Sequence, residues 1–163
     1  MNKFKIYFLT LFLIANNAYS AEYGVGVGVN NYNSYIYMPI NFDEYRVEPM
    51  LYYSDYTTTY DNTYSIYYGV GLGFFKVLSQ SQNTKLYFGP RITYGVAEGD
   101  SAGYVKTKNY ALTPTLGFEY YLAENISLGG EVYITFEKSD GTNSTVVKAK
   151  STGTTVTMKY YFK

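Results

Sequence analysis

The sequence predicts an all-β protein, an eight-stranded antiparallel up-and-down transmembrane β-barrel. From residue 21 onward, apolar and polar side chains alternate with a period of two, and no window of a dozen residues has an amphipathic helical face. The composition, 23 Tyr and 10 Phe among 163 residues, favours strands over helices and over disorder. Seven turn-forming clusters divide the chain into eight segments, which sets the number of strands.

The amino-terminal segment has the features of a secretory signal peptide. Two lysines precede an apolar stretch at 6–15, which is too short to span a bilayer as a helix. Small residues around Ser20 and Ala21 fit a signal cleavage site, so we expect cleavage between these two residues. The sequence therefore predicts a signal peptide at 1–20 and one barrel domain at 21–163.

The connections between the predicted strands are of two kinds. The second, fourth and sixth are short, whereas the third, fifth and seventh are longer and rich in Thr, Ser, Gly, Asp and Lys. Short turns on one rim and longer loops on the other are typical of bacterial outer-membrane barrels, whose termini both lie in the periplasm. The first connection departs from this pattern because it is short, although it belongs to the outer rim. The seven clusters lie at 30–33, 41–44, 56–63, 79–83, 97–109, 123–125 and 138–153.

Each predicted strand has one apolar face and one polar face. In the sixth strand, Leu116 and Phe118 belong to the apolar face. Thr115, Gly117 and Glu119 belong to the polar face, and the fourth and eighth strands repeat the pattern. Charged residues, tyrosines and glycines on one face suit the lumen of a small membrane barrel, so we expect the apolar face to contact lipid.

Aromatic residues of the apolar face are concentrated near the strand ends, whereas aliphatic residues such as Val70 and Leu116 occupy the middle. This distribution indicates two interfacial girdles. The predicted periplasmic girdle comprises Tyr23, Phe74, Phe118, Tyr120, Tyr160 and Phe162, and the outer girdle comprises Tyr64, Tyr68, Tyr94 and Phe136.

Two glycine-rich segments, at 24–28 and 69–73, superficially look like nucleotide-binding motifs. Both lack the final glycine of GxGxxG, and neither precedes a helix, so we interpret each as a strand with a glycine face. Because side chains just fill the interior of an eight-stranded barrel, we expect lumen glycines to lie opposite large residues such as Tyr52, Tyr87 and Tyr133.

The polar faces place three basic and three acidic side chains in the predicted lumen. Four of them fall on four consecutive strands, the fifth to the eighth, so oppositely charged neighbours can meet around one side of the barrel. We expect Arg91 to pair with Glu119, or with Glu48 across the glycines of the fourth strand. Buried charges persist when they are paired, so the set is interpreted as a self-neutralising plug, with an ion path or proton relay as the alternative. This lumen charge cluster consists of Arg46, Glu48, Arg91, Glu119, Glu131 and Lys159.

The sequence contains neither Cys nor His. Disulfides, metal sites built on these residues, and Ser-His or Cys-His nucleophilic pairs are therefore excluded. The carboxylates of Glu48, Glu119 and Glu131 are predicted to lie in a packed lumen without a substrate cavity. With 13 basic and 13 acidic residues, the chain lacks the net charge that attracts nucleic acid. We predict no catalytic residue, no metal, no cofactor and no nucleic-acid partner.

Four segments carry a resemblance to a known family. They are Tyr-Gly-Val-Gly-Val-Gly-Val at 23–29, Leu-Tyr-Phe-Gly-Pro-Arg at 86–91, Pro-Thr-Leu-Gly-Phe-Glu-Tyr-Tyr-Leu-Ala-Glu-Asn at 114–125 and Lys-Tyr-Tyr-Phe at 159–162. Together they resemble the outer membrane protein β-barrel domain family, whose small members include OmpX- and OmpA-type barrels. The resemblance implies that the barrel-insertion machinery recognises a terminal aromatic signal. Tyr160 and Phe162 match that insertion signal, although Lys163 follows Phe162 here.

The predicted function follows from the predicted location. We expect a monomeric integral protein of the Gram-negative outer membrane, exported through the inner membrane by its cleaved signal peptide. It would contact outer-membrane lipids and have a structural or adhesion-like surface-interaction role. A narrow porin-like channel is one alternative, and it needs a continuous polar path through the lumen. A soluble periplasmic lipocalin-like barrel that binds an apolar ligand is the other, and it needs the apolar faces turned inward.

Overall fold

The computed structural model describes most of the predicted barrel domain. The predicted signal peptide, including Ser20 of its cleavage site, lies outside the described residues, as does Lys163, whereas Ala21 is described. The described ranges are 21–30, 33–58, 63–99, 105–141 and 146–162.

Eight antiparallel strands follow one another in chain order within the described residues. They are β1 (Glu22–Val29), β2 in two segments (Ser34–Tyr37 and Ile40–Phe42), β3 (Tyr45–Thr58), β4 (Thr63–Gln80), β5 (Thr84–Gly99), β6 (Val105–Ala123), β7 (Ile126–Gly141) and β8 (Val146–Phe162). Each strand pairs with its neighbours in sequence. β1 also pairs with β8, from Tyr23 opposite Phe162 to Val29 opposite Val156, so the sheet closes into a barrel. This closure confirms the predicted fold class.

β2 is interrupted at Met38 and Pro39. Proline has no backbone N–H to donate to a sheet ladder. Backbone hydrogen bonds on both sides maintain the pairing, because the Met38 N–H donates to the Pro49 carbonyl and the Gly24 N–H donates to the Pro39 carbonyl, each at 2.9 Å. The two segments therefore serve as one strand between β1 and β3.

The longer connections contain fewer residues than the sequence predicted. β5 and β6 remain paired up to Gly99 opposite Val105. β7 and β8 remain paired up to Asp140 opposite Val146. Most of the predicted loops at 97–109 and 138–153 therefore belong to strands. Their polar composition suggested loops, but Thr, Val and Tyr fit a pleated strand, and cross-strand pairing continues through them.

The two faces of the sheet differ in polarity as predicted. Val27, Ile92 and Val132 point outward and are 51%, 57% and 52% exposed. Thr115 and Glu119 point inward and are completely buried. The barrel therefore has an apolar exterior and a polar interior, the reverse of a soluble barrel.

Tyrosine rings in the lumen occupy the space left by glycines. The hydroxyl end of Tyr52 lies against Gly69 and Gly95, and the ring of Tyr87 lies against Gly117. A Cβ atom at Gly117 would overlap the Tyr87 ring. These close approaches explain the glycine faces that the sequence shows, since any larger residue there would displace a tyrosine from the lumen.

The exterior aromatic residues of both predicted girdles are exposed, except that the side chain of Tyr64 lies outside the described part of the chain. The set near the termini consists of Tyr23, Phe74, Phe118, Tyr120, Tyr160 and Phe162, and the other set consists of Tyr68, Tyr94 and Phe136. We call the barrel end that carries the termini the terminal end, and the end that carries Asn30 and Gly99 the distal end. The cross-strand pairing of Tyr23 with Phe162 fixes the first set at the terminal end.

Candidate functional site: the lumen charge cluster

Six charged side chains meet inside the barrel, and none of them is more than 4% exposed. Each occupies an inward position on its strand, because residues two apart in a strand point to the same side. Arg46 and Glu48 lie on β3, Arg91 on β5, Glu119 on β6, Glu131 on β7 and Lys159 on β8.

Arg46 anchors the half of the cluster nearer the terminal end. Its Nη1 and Nη2 donate to Oε1 and Oε2 of Glu119 at 2.8 and 2.9 Å. Nη2 also donates to the Tyr161 hydroxyl at 3.0 Å, and Nε donates to Oδ1 of Asn41 at 2.7 Å. Tyr161 in turn donates to Glu119 Oε2 at 2.9 Å. A guanidinium that forms such a two-pronged contact with a carboxylate is held in both position and orientation.

Arg91 organises the second half of the cluster. Its Nη1 and Nη2 donate to Oε2 and Oε1 of Glu131 at 2.9 and 3.0 Å. Nη2 also donates to Oε1 of Glu48 at 2.7 Å. The Tyr87 hydroxyl donates to Glu131 Oε1 at 2.9 Å, so the carboxylate is held from two sides.

Lys159 joins the two halves. Its Nζ lies 2.6 Å from Oε2 of Glu48 and 3.0 Å from Oε1 of Glu119. Arg46 Nη1 approaches Glu48 Oε2 at 3.8 Å and adds a longer contact between the halves. Three positive and three negative charges therefore form one connected network, which offsets the cost of removing each charge from water.

Aromatic rings enclose the cations. The Arg46 guanidinium lies 4.4 Å from the centre of the Tyr87 ring. The Arg91 guanidinium lies 5.3 Å from the ring centres of both Tyr37 and Phe75. These distances fall within the range of cation–π attraction. Because the rings also keep water away, the ion pairs lie in surroundings of low polarity, where electrostatic attraction is stronger.

The structure brings all six predicted residues together but changes one expected pairing. Arg91 reaches Glu48 across β4, as the sequence suggested. Its second partner is Glu131 on β7, whereas Glu119 is bound by Arg46. Lumen side chains extend across the barrel, so residues pair when they lie at the same level along the barrel axis. The tilt and stagger of the strands determine that level.

Sequence inspection missed a second ion pair near the terminal end. Lys85 Nζ lies 3.7 Å from Oε2 of Glu22, and Asn41 Nδ2 donates to the same oxygen at 2.8 Å. Asn41 also binds Arg46, so it connects this pair to the cluster, whereas the sequence had placed Asn41 in a turn. The alternation of side chains along a strand could have predicted that Lys85 points inward. Lys85 lies six positions before Arg91 on β5, so both side chains point to the same side of the sheet.

The predicted insertion signal lies on the exterior at the terminal end. Tyr160 and Phe162 are exposed, and their ring centres are 5.5 Å apart. In the sheet, Tyr160 pairs with Ile126 and Phe162 pairs with Tyr23. Both rings are accessible from outside the barrel, and their role in insertion stays a prediction.

Among the described residues, no three metal-ligating side chains of the His, Cys, Asp or Glu type cluster together. No helix in the described ranges is long and apolar enough to cross a membrane. The carboxylates of the cluster are occupied by ion pairs and hydrogen bonds within it. The charges of the cluster therefore neutralise one another within the lumen.

Comparisons with known proteins identify the fold. The chain is similar to the solved structure of Neisserial surface protein A, with a TM-score of 0.64 and 15% identity over 87% of this chain and 94% of that one. It is also similar to a major outer membrane protein from Thermus thermophilus, with a TM-score of 0.53 and 11% identity over 88% and 100% of the two chains.

A third similar structure is Ail, the attachment invasion locus protein of Yersinia pestis, with a TM-score of 0.50 and 14% identity over 86% of this chain and 93% of that one. No protein-family model matches the chain. No curated protein matches it in sequence. The structural likeness therefore shows that this chain has the barrel fold of small outer-membrane proteins.

Proposed function

We propose that this chain is a monomeric integral protein of the Gram-negative outer membrane, with a plugged lumen and a structural or surface-interaction role. One observation carries the proposal. The barrel turns its apolar residues outward and encloses six paired charges, an arrangement that is stable when lipid surrounds the exterior. A soluble lipocalin-like barrel would have the opposite polarity.

The dimensions of the strands support a membrane location. A tilted strand needs about 9 to 11 residues to cross a bilayer. β6 has 19 residues and β8 has 17, so both are long enough to cross and to project beyond the membrane. This proposal includes removal of residues 1–20 by signal peptidase and insertion of the remaining chain by the barrel-insertion machinery.

Exposed lysines mark the distal boundary of the apolar band. On β7 and β8, Lys138 pairs across the strands with Lys148, and Lys150 pairs with Phe136 of the outer girdle. Lys150 Nζ lies 5.7 Å from the centre of the Phe136 ring. Basic residues beside an aromatic girdle suit the boundary between lipid and water, which supports a membrane boundary near the distal end.

A plug explains the buried network better than a channel. Side chains from β3, β5, β6, β7 and β8 reach one another across the lumen, and an ion that crosses would have to break ion pairs of 2.6 to 3.0 Å. The absence of Cys and His from the sequence supports a role without catalysis. The Neisserial protein is named a surface protein and Ail an attachment invasion protein, which supports a surface-interaction role.

Electrophoresis of a detergent extract tests the membrane assignment. A closed membrane barrel migrates compactly before heating and shifts to a slower position after boiling. We expect that shift here, together with recovery of the protein from the outer-membrane fraction. Recovery from the soluble periplasmic fraction would overturn the proposal.

Planar-bilayer recording of the refolded protein tests the plug separately. We expect no steady unitary currents, because the charge network closes the lumen. Steady currents from a sample that still shows the heat-dependent shift would leave the membrane assignment intact and replace the plug with a narrow porin-like channel.

A further inference from the structure

A second feature of the lumen lies on the distal side of the charge cluster. A cavity of about 1020 Å³ extends from Arg91 toward the distal end, and its lining also includes outward-facing residues such as Leu116 and Val132. We call it the distal cavity, and its described lining includes Tyr35, Tyr52, Tyr67, Asn109 and Glu137. Residues at its base are buried, whereas Ser151 near the distal end is exposed, so the cavity is more accessible from that end.

Aromatic rings form one wall of the distal cavity. The ring centres of Tyr35 and Tyr52 are 6.3 Å apart, and those of Tyr52 and Tyr67 are 5.2 Å apart. Aromatic faces carry partial negative charge and attract cations. The wall therefore favours a ligand that presents a positive charge.

Two buried polar groups in this lining have no hydrogen-bond partner among the described residues. They are the hydroxyl of Tyr52 and Oδ1 of Asn109, on residues that are 7% and 8% exposed. An amide oxygen only accepts hydrogen bonds, and a tyrosine hydroxyl can accept one. Leaving such groups unsatisfied is costly, so the Asn109 oxygen favours a ligand that donates N–H groups, and the Tyr52 hydroxyl can accept from the same ligand.

The cavity also carries one carboxylate that forms no ion pair among the described residues. Arg91 and Glu137 are the charged members of its described lining. Arg91 is neutralised by Glu48 and Glu131, and only its Nε lacks a hydrogen-bond partner among the described residues. Glu137 accepts a hydrogen bond from Ser139 at 3.0 Å and has no lysine or arginine of the described chain within 4.0 Å.

We propose that the distal cavity is a binding site for a primary organic ammonium ion of the polyamine class. An ammonium group provides three N–H donors and a positive charge, which match the acceptors of Tyr52 and Asn109 and the carboxylate of Glu137. The methylene chain between two amines would lie along the tyrosine rings. An anion would be repelled by the carboxylate of Glu137, and an apolar ligand would leave the buried acceptors unsatisfied.

Calorimetric titration of spermidine into the full chain, purified in detergent, tests this site. We expect saturable binding that weakens as salt is added, because the attraction is electrostatic. Glu137→Gln should weaken binding by about tenfold or more, the value of one hydrogen bond to a charged group. Asp140→Asn is the matched control. It removes a carboxylate from the exterior of the same strand, where Asp140 pairs with Lys138, and it should leave binding unchanged.

A second variant and a second probe keep the test independent of folding. Asn109→Leu keeps the size of the side chain but removes the acceptor, so it should weaken spermidine binding while Glu137 remains. Glucose, a neutral donor of hydrogen bonds, should bind much more weakly than spermidine. Each variant is first checked for the heat-dependent electrophoretic shift.

Three outcomes would overturn the site. They are an absence of saturable spermidine binding, equal weakening by Glu137→Gln and Asp140→Asn, and glucose binding as tight as that of spermidine. Access of an external polyamine rests on the proposed orientation in the outer membrane, but binding in detergent does not. A failed titration with a preserved heat-dependent shift would therefore reject this site alone.

Discussion

Glu48 is the residue at which the two halves of the lumen network meet. Its two oxygens bind different cations, Arg91 at 2.7 Å and Lys159 at 2.6 Å. Arg46 lies further away, at 3.8 Å. Because each cation also binds a second carboxylate, a change at one residue alters the pairing of the others. Such a network is expected to respond to substitution more strongly than its individual pairs suggest.

Replacement of Arg91 tests this dependence. Arg91→Met removes the bidentate contact to Glu131 and one contact to Glu48. Breaking a buried ion pair from one side costs about 3 to 5 kcal/mol, because a buried charge loses its partner. We expect this loss in the free energy of unfolding, measured by urea titration of the protein in detergent. Adding Glu131→Gln should recover much of it.

Lys138→Met is the control for that series. Its ion pair with Asp140, at 3.3 Å, is exposed on the exterior. Exposed pairs contribute about 0 to 1 kcal/mol, so the midpoint of unfolding should barely move. If Arg91→Met and Lys138→Met have equally small effects, the lumen network does not stabilise the barrel.

Gly117 is expected to tolerate replacement poorly, because it lies against the ring of Tyr87. The methyl group of Gly117→Ala would overlap atoms of the Tyr87 ring. The ring would then have to move, and its hydroxyl would move away from Glu131. Overpacking of this kind costs about 1 to 3 kcal/mol. The matched control is Gly130→Ala, where the nearest atom to a new Cβ is the Thr155 carbonyl oxygen at 3.6 Å. Urea unfolding should separate the two variants, and equal stability would show that the Tyr87 ring adapts freely.

At the scale of a residue, the sequence predicts which side chains enter the lumen but not how they pair. A period of two is enough to place Arg91 and Glu131 on the inward face. Their contact depends on the tilt and stagger of strands that are two apart in the barrel, and no local pattern encodes these quantities. The same limit explains why Lys85 and Glu22 were missed, although Lys85 has the correct parity.

At the scale of an element, composition underestimated strand length. The predicted loop at 138–153 contains polar residues, yet β7 and β8 remain paired up to Asp140 and Val146. Turn-forming composition marks where a chain can reverse, whereas cross-strand pairing decides where it does. Strand β2 illustrates the opposite effect, since Pro39 interrupts a ladder that the alternation alone presents as continuous.

The apolar face of β6 provides a test of the lipid contact. Leu116 points outward between residues of β5 and β7, opposite Phe88 and Val132. In a lipid bilayer, Leu116→Arg should cost roughly 2 to 4 kcal/mol, because it places a charge near the midplane. The measurement is the free energy of folding into lipid vesicles, obtained by urea titration.

Gln82→Arg is the control, since Gln82 is exposed in the connection between β4 and β5 at the terminal end. It should be tolerated in vesicles with little change in stability. In the lumen, Thr115→Arg should also be poorly tolerated, but through crowding rather than through contact with lipid. Equal tolerance of arginine at Leu116 and at Gln82 would contradict the proposed lipid-facing exterior.

At the scale of the whole molecule, the closed sheet has two unlike ends. The terminal end has tight turns, including the one between Phe42 and Tyr45, and it holds the Lys85–Glu22 ion pair. The distal end holds the cavity and the exterior lysines. Sequence alternation and connection lengths predicted the closed barrel, because both follow from local chemistry. The cavity differs from the packed lumen that the sequence predicted, because it results from side chains of different sizes that meet across the lumen.

The proposed orientation is tested by an epitope tag inserted after Gly141, at the distal end of β7. If that end faces the cell exterior, an antibody should label intact cells. Because an even number of strands places both termini at the opposite end, the termini would then lie in the periplasm. A matched tag after Gln82, between β4 and β5 at the terminal end, should be labelled only after the outer membrane is permeabilised. Both tagged proteins must show the heat-dependent shift, so that labelling reports a folded barrel. Labelling of the Gln82 tag on intact cells, with the Gly141 tag protected, would reverse the orientation and direct the distal cavity toward the periplasm.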